Sequence, residues 1–226
     1  MSARKLSPPK AEEEGRKGQI RQVNEALILS AGERVFARAG FNGATVAEIA
    51  DAAGLPKANL HYYFGSKHEL YRAVLARTLH DWLLPLDGLT PESDPGQALA
   101  AYIRAKMAMS AQRPDASRVF ANELLHGAAV VGELMRSELR ATVCRKAAVI
   151  DGWIAAGRMA AVDSTHLFFT IWAATQTYAD FELQVCAVLG REQLGARDHE
   201  RATEHVVSLI LRGCGLAQHG FGSAGR

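Results

Sequence analysis

From residue 22 onward, apolar residues recur at three- and four-residue intervals, and glycines and prolines cut that pattern into segments. The spacing predicts helices at about 22–39, 45–53, 56–63, 66–87, 95–112, 114–126, 130–156, 164–189 and 198–214. No segment keeps the strict alternation of a half-buried strand, so the expected fold class is all-α. Asp94-Pro95 and Arg113-Pro114 place proline where helices begin, and Gly157 falls just past a helix end. Pro85, after Asp81-Trp82-Leu83-Leu84, should kink or finish the fourth helix. Residues 1–20 hold Pro8-Pro9, the acidic run Glu12-Glu13-Glu14 and scattered basic residues, with almost nothing apolar to bury. That composition predicts a flexible arm, whose Arg4, Lys5, Lys10, Arg16, Lys17 and Arg21 are either solvated or in touch with phosphate.

Residues 45–67 carry the densest local signals. Thr45 followed three residues later by Glu48 is a capping box, in which side chains and backbone N–H groups satisfy each other at a helix start. Val46, Ile49, Ala50 and Ala53 keep helical spacing, Gly54 permits a tight turn, and Leu55 and Leu60 can pack back to fix the angle between two short helices. Proline at 56 is tolerated in a first turn. The outward positions of the second helix are Lys57, Ala58, Asn59, His61 and Tyr62, short or donor-rich side chains suited to a groove of DNA. Ser66 and Glu69 form a second capping box and start the next helix. Each of these signals also occurs in ordinary helical hairpins, so alone they support a helix-turn-helix without proving one.

At 226 residues the chain has room for a small reader domain and a larger helical one. Charge divides the same way: residues 1–80 hold 12 Lys and Arg against 8 Asp and Glu, and the remainder 14 against 16. A basic excess over the reader segment suits a phosphate-facing surface. Cys144, Cys186 and Cys214 are scattered, with no C-x-x-C spacing for metal or redox chemistry, and buried thiols in a reducing compartment account for them. No leader or membrane-length apolar run occurs, which predicts a cytoplasmic protein with no membrane partner. Gly220, Gly222 and Gly225 match G-x-G-x-x-G formally, but a dinucleotide fingerprint must open a helix, and here the chain ends. No nucleophile elbow, zinc helix or phosphate loop occurs, so neither a cofactor nor a metal is expected.

The segment 164–189 is apolar on several sides and should be buried on several sides. One face holds Phe168, Trp172, Thr175, Gln176 and Ala179. An indole with a primary amide one turn later can grip a flat polar ring, since the indole stacks and the amide offers a donor beside an acceptor. A core helix with a satisfied glutamine explains the same pattern.

The order of residues around the reader resembles the DNA-binding domain of TetR-family transcriptional regulators. A helix over Ala26–Ala39 ends in Gly40-Phe41, followed by Thr45, Ile49-Ala50, Ala53-Gly54, Leu60, Tyr62-Tyr63-Phe64, Lys67 and Leu70 at family spacing. The resemblance implies an N-terminal three-helix helix-turn-helix domain over 21–67 and a C-terminal helical ligand-binding and dimerisation domain over 68–215, with a tail at 216–226. It adds Thr45 and Lys67 to the DNA-binding residues and implies a homodimer on a palindromic operator in double-stranded DNA, joined through the last two long helices. Asp81–Leu86, Ser117–Phe120 and Ile171–Phe181 are similar to segments of the family's pyrimidine-utilisation regulators. That similarity implies a repressor released by uracil or, more weakly, thymine, with Trp172 and Gln176 holding the base. Trp82 joins them, although its place near the domain hinge also suits simple packing. Two departures stand out. Pro56 replaces a common serine and His61 a common apolar or aromatic residue, so the operator and even the effector ring can differ.

Other functions remain open at this level: a family member serving unrelated small-molecule metabolism, a metal-responsive regulator, or an all-α enzyme. The enzyme would use Asp163, Asp180, Glu182 or histidines as acid and base, although Asp163 also suits a helix cap. The eight histidines lie at 61, 68, 80, 126, 166, 199, 205 and 219, without ligand spacing along one helix.

Overall fold

The computed structural model describes residues 10–216. Arg4 and Lys5 of the expected arm, and all of the expected tail beyond Leu216, lie outside the described residues. Eleven α-helices account for the described secondary structure, with a 3₁₀ turn at Leu84–Gly88 and a π turn at Met135–Leu139; no strand occurs among the described residues. In chain order they are α1 (Lys10–Gly43), α2 (Val46–Ala53), α3 (Lys57–Phe64), α4 (Lys67–Leu83), α5 (Pro95–Gln112), α6 (Pro114–Leu125), α7 (Gly132–Leu134), α8 (Arg140–Ala155), α9 (Ser164–Asp180), α10 (Glu182–Leu189) and α11 (Ala196–Gly213). The fold is all-α, with a helix-turn-helix unit followed by a larger helical unit.

Three expectations need correction. First, α1 begins at Lys10, inside the segment whose composition predicted an arm, and it bends at Gly40, where φ is +67° and helical dihedrals fail. Second, 164–189 is two helices. Phe181, with φ −119° and ψ 31°, interrupts the helix, and Arg118 secures the break by donating to the Ala179 carbonyl at 3.1 Å and to Glu182 at 2.6 Å. Third, 130–156 is not uniform, because a π turn at Met135–Leu139 precedes α8. An extra residue in a turn re-aims the side chains around it, a device common beside functional sites.

The chain divides after Val74, seven residues beyond the boundary the sequence suggested. The cause is packing: Tyr71 stacks edge-on against Phe36, 4.9 Å between centroids, and lies 5.0 Å from Phe41. Leu70, Tyr71 and Val74 are all buried, so the first turns of α4 finish the core of the reader. In the larger unit α9 packs against α5, α6 and α8, while α11 packs on α5. Phe168, Ile171 and Ala179 of α9 are fully buried together with Leu99 and Ile103 of α5 and Ile150 of α8. Pro85 ends α4 in the 3₁₀ turn, as a missing N–H and a fixed φ require. No helix among the described residues is long and apolar enough to cross a membrane.

Candidate functional site

The reader is held by caps. Thr45 Oγ1 accepts from Glu48 N at 3.1 Å while Glu48 accepts from Thr45 N at 2.9 Å, which completes the predicted capping box. These bonds hold the Glu48 carboxyl below its ordinary range. Gly54 takes the left-handed conformation, φ +66°, and its N–H closes α2. Arg34 donates to the Ala52 carbonyl at 2.9 Å, covering the last turn of α2. Asn24 donates to Tyr63 Oη at 3.2 Å, tying α3 to α1, and Leu60 is buried beneath.

Above this frame the predicted contact residues divide into two groups. Lys57, Ala58 and Tyr62 are exposed and Asn59 is partly so. Tyr62 is 74% exposed, a large exposure for an aromatic ring, and stands edge-on to Tyr63. Thr45, His61 and Lys67 each also bond within the protein, although Thr45 and His61 are exposed as well. Thr45 is the cap of α2, and His61 Nδ1 lies 3.1 Å from the Gly65 carbonyl. Lys67 Nζ donates to the carbonyls of Phe41 at 2.7 Å and Ala44 at 2.9 Å, over the Phe41 ring. Its ammonium holds the end of α1 instead of standing free for phosphate. Lys67→Met should therefore lower the melting temperature by the equivalent of ~1–3 kcal/mol, the usual worth of bonds from a charged donor. Any loss of operator affinity should then be uniform over base sequence. A melting temperature unchanged from wild type would return Lys67 to the contact surface.

The second site is a cavity of about 90 Å³ lined by Leu79, Trp82 and Leu83 of α4, Lys106 of α5, Phe120 and Leu124 of α6, Met135 and Leu139 of the π turn, and Trp172 and Gln176 of α9. All three ligand-binding residues expected from sequence meet here. A cavity of ~150 Å³ takes one benzene-sized ring, so this one suits a single small ring after a slight outward shift of its lining. A nucleoside is too large.

Trp172 Nε1 is already committed, donating to Tyr102 Oη at 2.7 Å, so its indole offers a face rather than a donor. Burial pushes the Tyr102 phenol up and keeps it neutral. Trp82 packs on Phe120 with centroids 4.8 Å apart. Lys106, which the sequence reading passed over, is 2% exposed, and its Nζ sits 3.9 Å from the centre of the Trp82 ring. Burial draws its pKa down to about 7, with Asp180 pulling the other way. Burial raises the Asp180 carboxyl in turn, against the charges of Lys106 and Arg118. A signal for Lys106 existed: it falls on the buried stripe of α5 with Leu99, Tyr102, Ile103, Met107 and Ser110, where a charged residue is out of place. The π turn left no such trace in the sequence.

Two of the residues weighed for acid–base chemistry, Asp163 and Glu182, have structural roles. Asp163 caps α9 by accepting from His166 N at 2.9 Å, and Glu182 pairs with Arg118. No group of three His, Cys, Asp or Glu side chains able to hold a metal occurs among the described residues.

Comparison with known proteins agrees with this division. Residues 28–74 match the model of bacterial regulatory proteins of the tetR family, and residues 75–217 match that of the YcdC-like protein C-terminal region. The chain is 39% identical over 199 residues to the HTH-type transcriptional regulator RutR of Escherichia coli strain K12, covering 88% of this chain and 94% of RutR. It is 36% identical over 86 residues to the HTH-type transcriptional activator FasR of Mycolicibacterium smegmatis, covering 38% and 39% of the two chains. A solved bacterial regulatory protein of the tetR family from Rhodococcus RHA1 shares the fold, with a TM-score of 0.66, 20% identity, and 86% and 98% of the two chains covered.

Proposed function

Because the chain belongs to the TetR family of transcriptional regulators, and is a regulator and not an enzyme, we propose that it acts as a dimeric repressor. It binds an inverted-repeat operator through α2 and α3 and is released by a small planar effector, uracil before thymine. The cavity carries this reading: two tryptophan rings and one primary amide line a space of about 90 Å³ that a slight outward shift opens to a single ring. The amide of Gln176 can meet a carbonyl and a ring N–H side by side, an arrangement that a carboxylate or an ammonium cannot offer. Similarity of the effector-domain segments to pyrimidine-utilisation regulators supports the choice of ring.

Coupling has a physical route. Leu79, Trp82 and Leu83 belong to the same continuous helix that opens at Lys67, and Lys67 holds the end of α1. A ring that shifts Trp82 acts on the helix whose first turns complete the core of the reader. Asp81, beside Trp82, is paired with Arg113 at the start of α6, so movement of α4 is felt at α6 as well. Such a transition needs only that the effector bind one arrangement better than the other.

Dimerisation is supported by the apolar surface of the last helices. Phe169 on α9 and Leu209 on α11 are 47% and 59% exposed, beside a groove lined by Val162, His166, Thr170 and Gly213. Exposed apolar side chains flanking one groove are what a second copy would cover, and two-fold symmetric readers require two-fold symmetric sites. Sedimentation at micromolar concentration should give twice the chain mass, 24.4 kDa per copy. A single copy at that concentration, or tight binding to a lone half-site, would contradict the dimer. The effector itself is tested by thermal shift with uracil and thymine, where the melting temperature should rise with concentration.

A further inference from the structure

Lys106 has no evident reason to be where it is. It stands on the buried stripe of α5 at 2% exposure, among side chains that are mostly apolar. Its neighbour is the face of Trp82, at 3.9 Å, and the opposing charge that acts on it is Asp180 of α9. Burying an ammonium is costly, and methionine or leucine would fill the same space at no such cost. Yet Lys106 lines the same cavity as Gln176 and Trp172. A donor that lines a cavity can be met by an acceptor on what enters it.

The two polar groups of the cavity differ in what they can read. A primary amide can turn over and exchange its donor for its acceptor, so Gln176 alone accepts a ring edge of either polarity. An ammonium has three donors and no acceptor, and no rotation changes that. We propose that Lys106 is the specificity-determining residue of this cavity, donating to a carbonyl oxygen of the effector while Gln176 reads the neighbouring edge. The ligand class is a planar ring with a carbonyl turned toward α5, and an amino group there is rejected. The proposal rests on the effector reading given above and extends it from the ring to the atom contacted. The depressed pKa agrees with the geometry: burial leaves the ammonium poorly stabilised near neutral pH, and an acceptor on a ligand restores what burial removed.

The test crosses one substitution with three rings. Calorimetry measures uracil, which has two carbonyls, and 2-pyrimidinone and 4-pyrimidinone, which each retain one, against the full-length protein and Lys106→Met. The substitution should weaken uracil by about tenfold or more, as for loss of a bond to a charged donor. It should weaken the single-carbonyl ring that keeps the contacted oxygen by a similar factor and leave the other ring unchanged. Wild-type protein supplies a check independent of the variant: it should bind the ring lacking the contacted oxygen at least about tenfold more weakly than uracil. Melting of Lys106→Met confirms that it is folded. Equal weakening of all three rings would show that Lys106 only shapes the cavity, and no weakening of any would show that it does not touch the ligand; either overturns the inference while leaving the effector class standing. Failure of wild-type protein to bind any of the three rings would overturn the effector reading, and this inference with it.

Discussion

Gln176→Glu should abolish the response to uracil. The carboxylate keeps the shape of the amide but can only accept, so the donor that a ring carbonyl requires is lost. It would also stand in a cavity shared with Lys106, where the two charges satisfy each other and leave nothing for the ligand. Sites built to hydrogen-bond a ligand lose heavily when the pairing is spoiled, because buried polar groups go unmatched. The expected loss is about a hundredfold or more in uracil affinity, or ~3 kcal/mol. Gln176→Ala, which removes the amide without adding charge, should lose less. Operator affinity without effector is measured on the same variants, since Gln176 belongs to the unit that follows Val74 and the reader to the one before it. Release from the operator at wild-type uracil concentrations would exclude Gln176 from the site.

The second large effect concerns α3. Asn59→Ala should cost ~1–3 kcal/mol of operator affinity, concentrated at particular base pairs, because asparagine can bond an adenine edge with both halves of its amide. Lys57→Ala and Tyr62→Phe, if these side chains meet phosphate, should weaken all sequences alike, and Lys57→Ala, which removes a cation, should also flatten the salt dependence. Selection from a randomised operator separates the two behaviours. An unchanged base preference and affinity in all three variants would remove α3 from its role as the reader.

Much of this was legible in the sequence because it is local. The Thr45–Glu48 box, the Gly54 turn and the second start at Ser66–Glu69 are short-range devices, and the structure forms them at the predicted residues. Trp82, Trp172 and Gln176 meet in one cavity, a convergence that the family resemblance anticipated and periodicity alone did not. What escaped is non-local or depends on competition. Lys67 looked like a cation for phosphate because nothing in its neighbourhood shows that the carbonyls at 41 and 44 face it. The break at Phe181 follows from no glycine or proline and is anchored by Arg118, which stands 61 residues from the carbonyl it holds at Ala179. The arm failed in the opposite sense: polar composition cannot exclude a helix that continues from a well-packed one, and α1 runs back to Lys10.

The central claim is that one ring-sized cavity controls the hold on DNA, and titration calorimetry of uracil tests it most directly, performed on the free protein and on the protein saturated with its operator. The account predicts that uracil binds the free protein, and that operator DNA weakens this binding by the same factor by which uracil weakens operator binding, as linkage requires. The absence of both heat and a thermal shift with millimolar uracil or thymine would contradict it, and so would uracil binding of equal strength in the presence and absence of the operator.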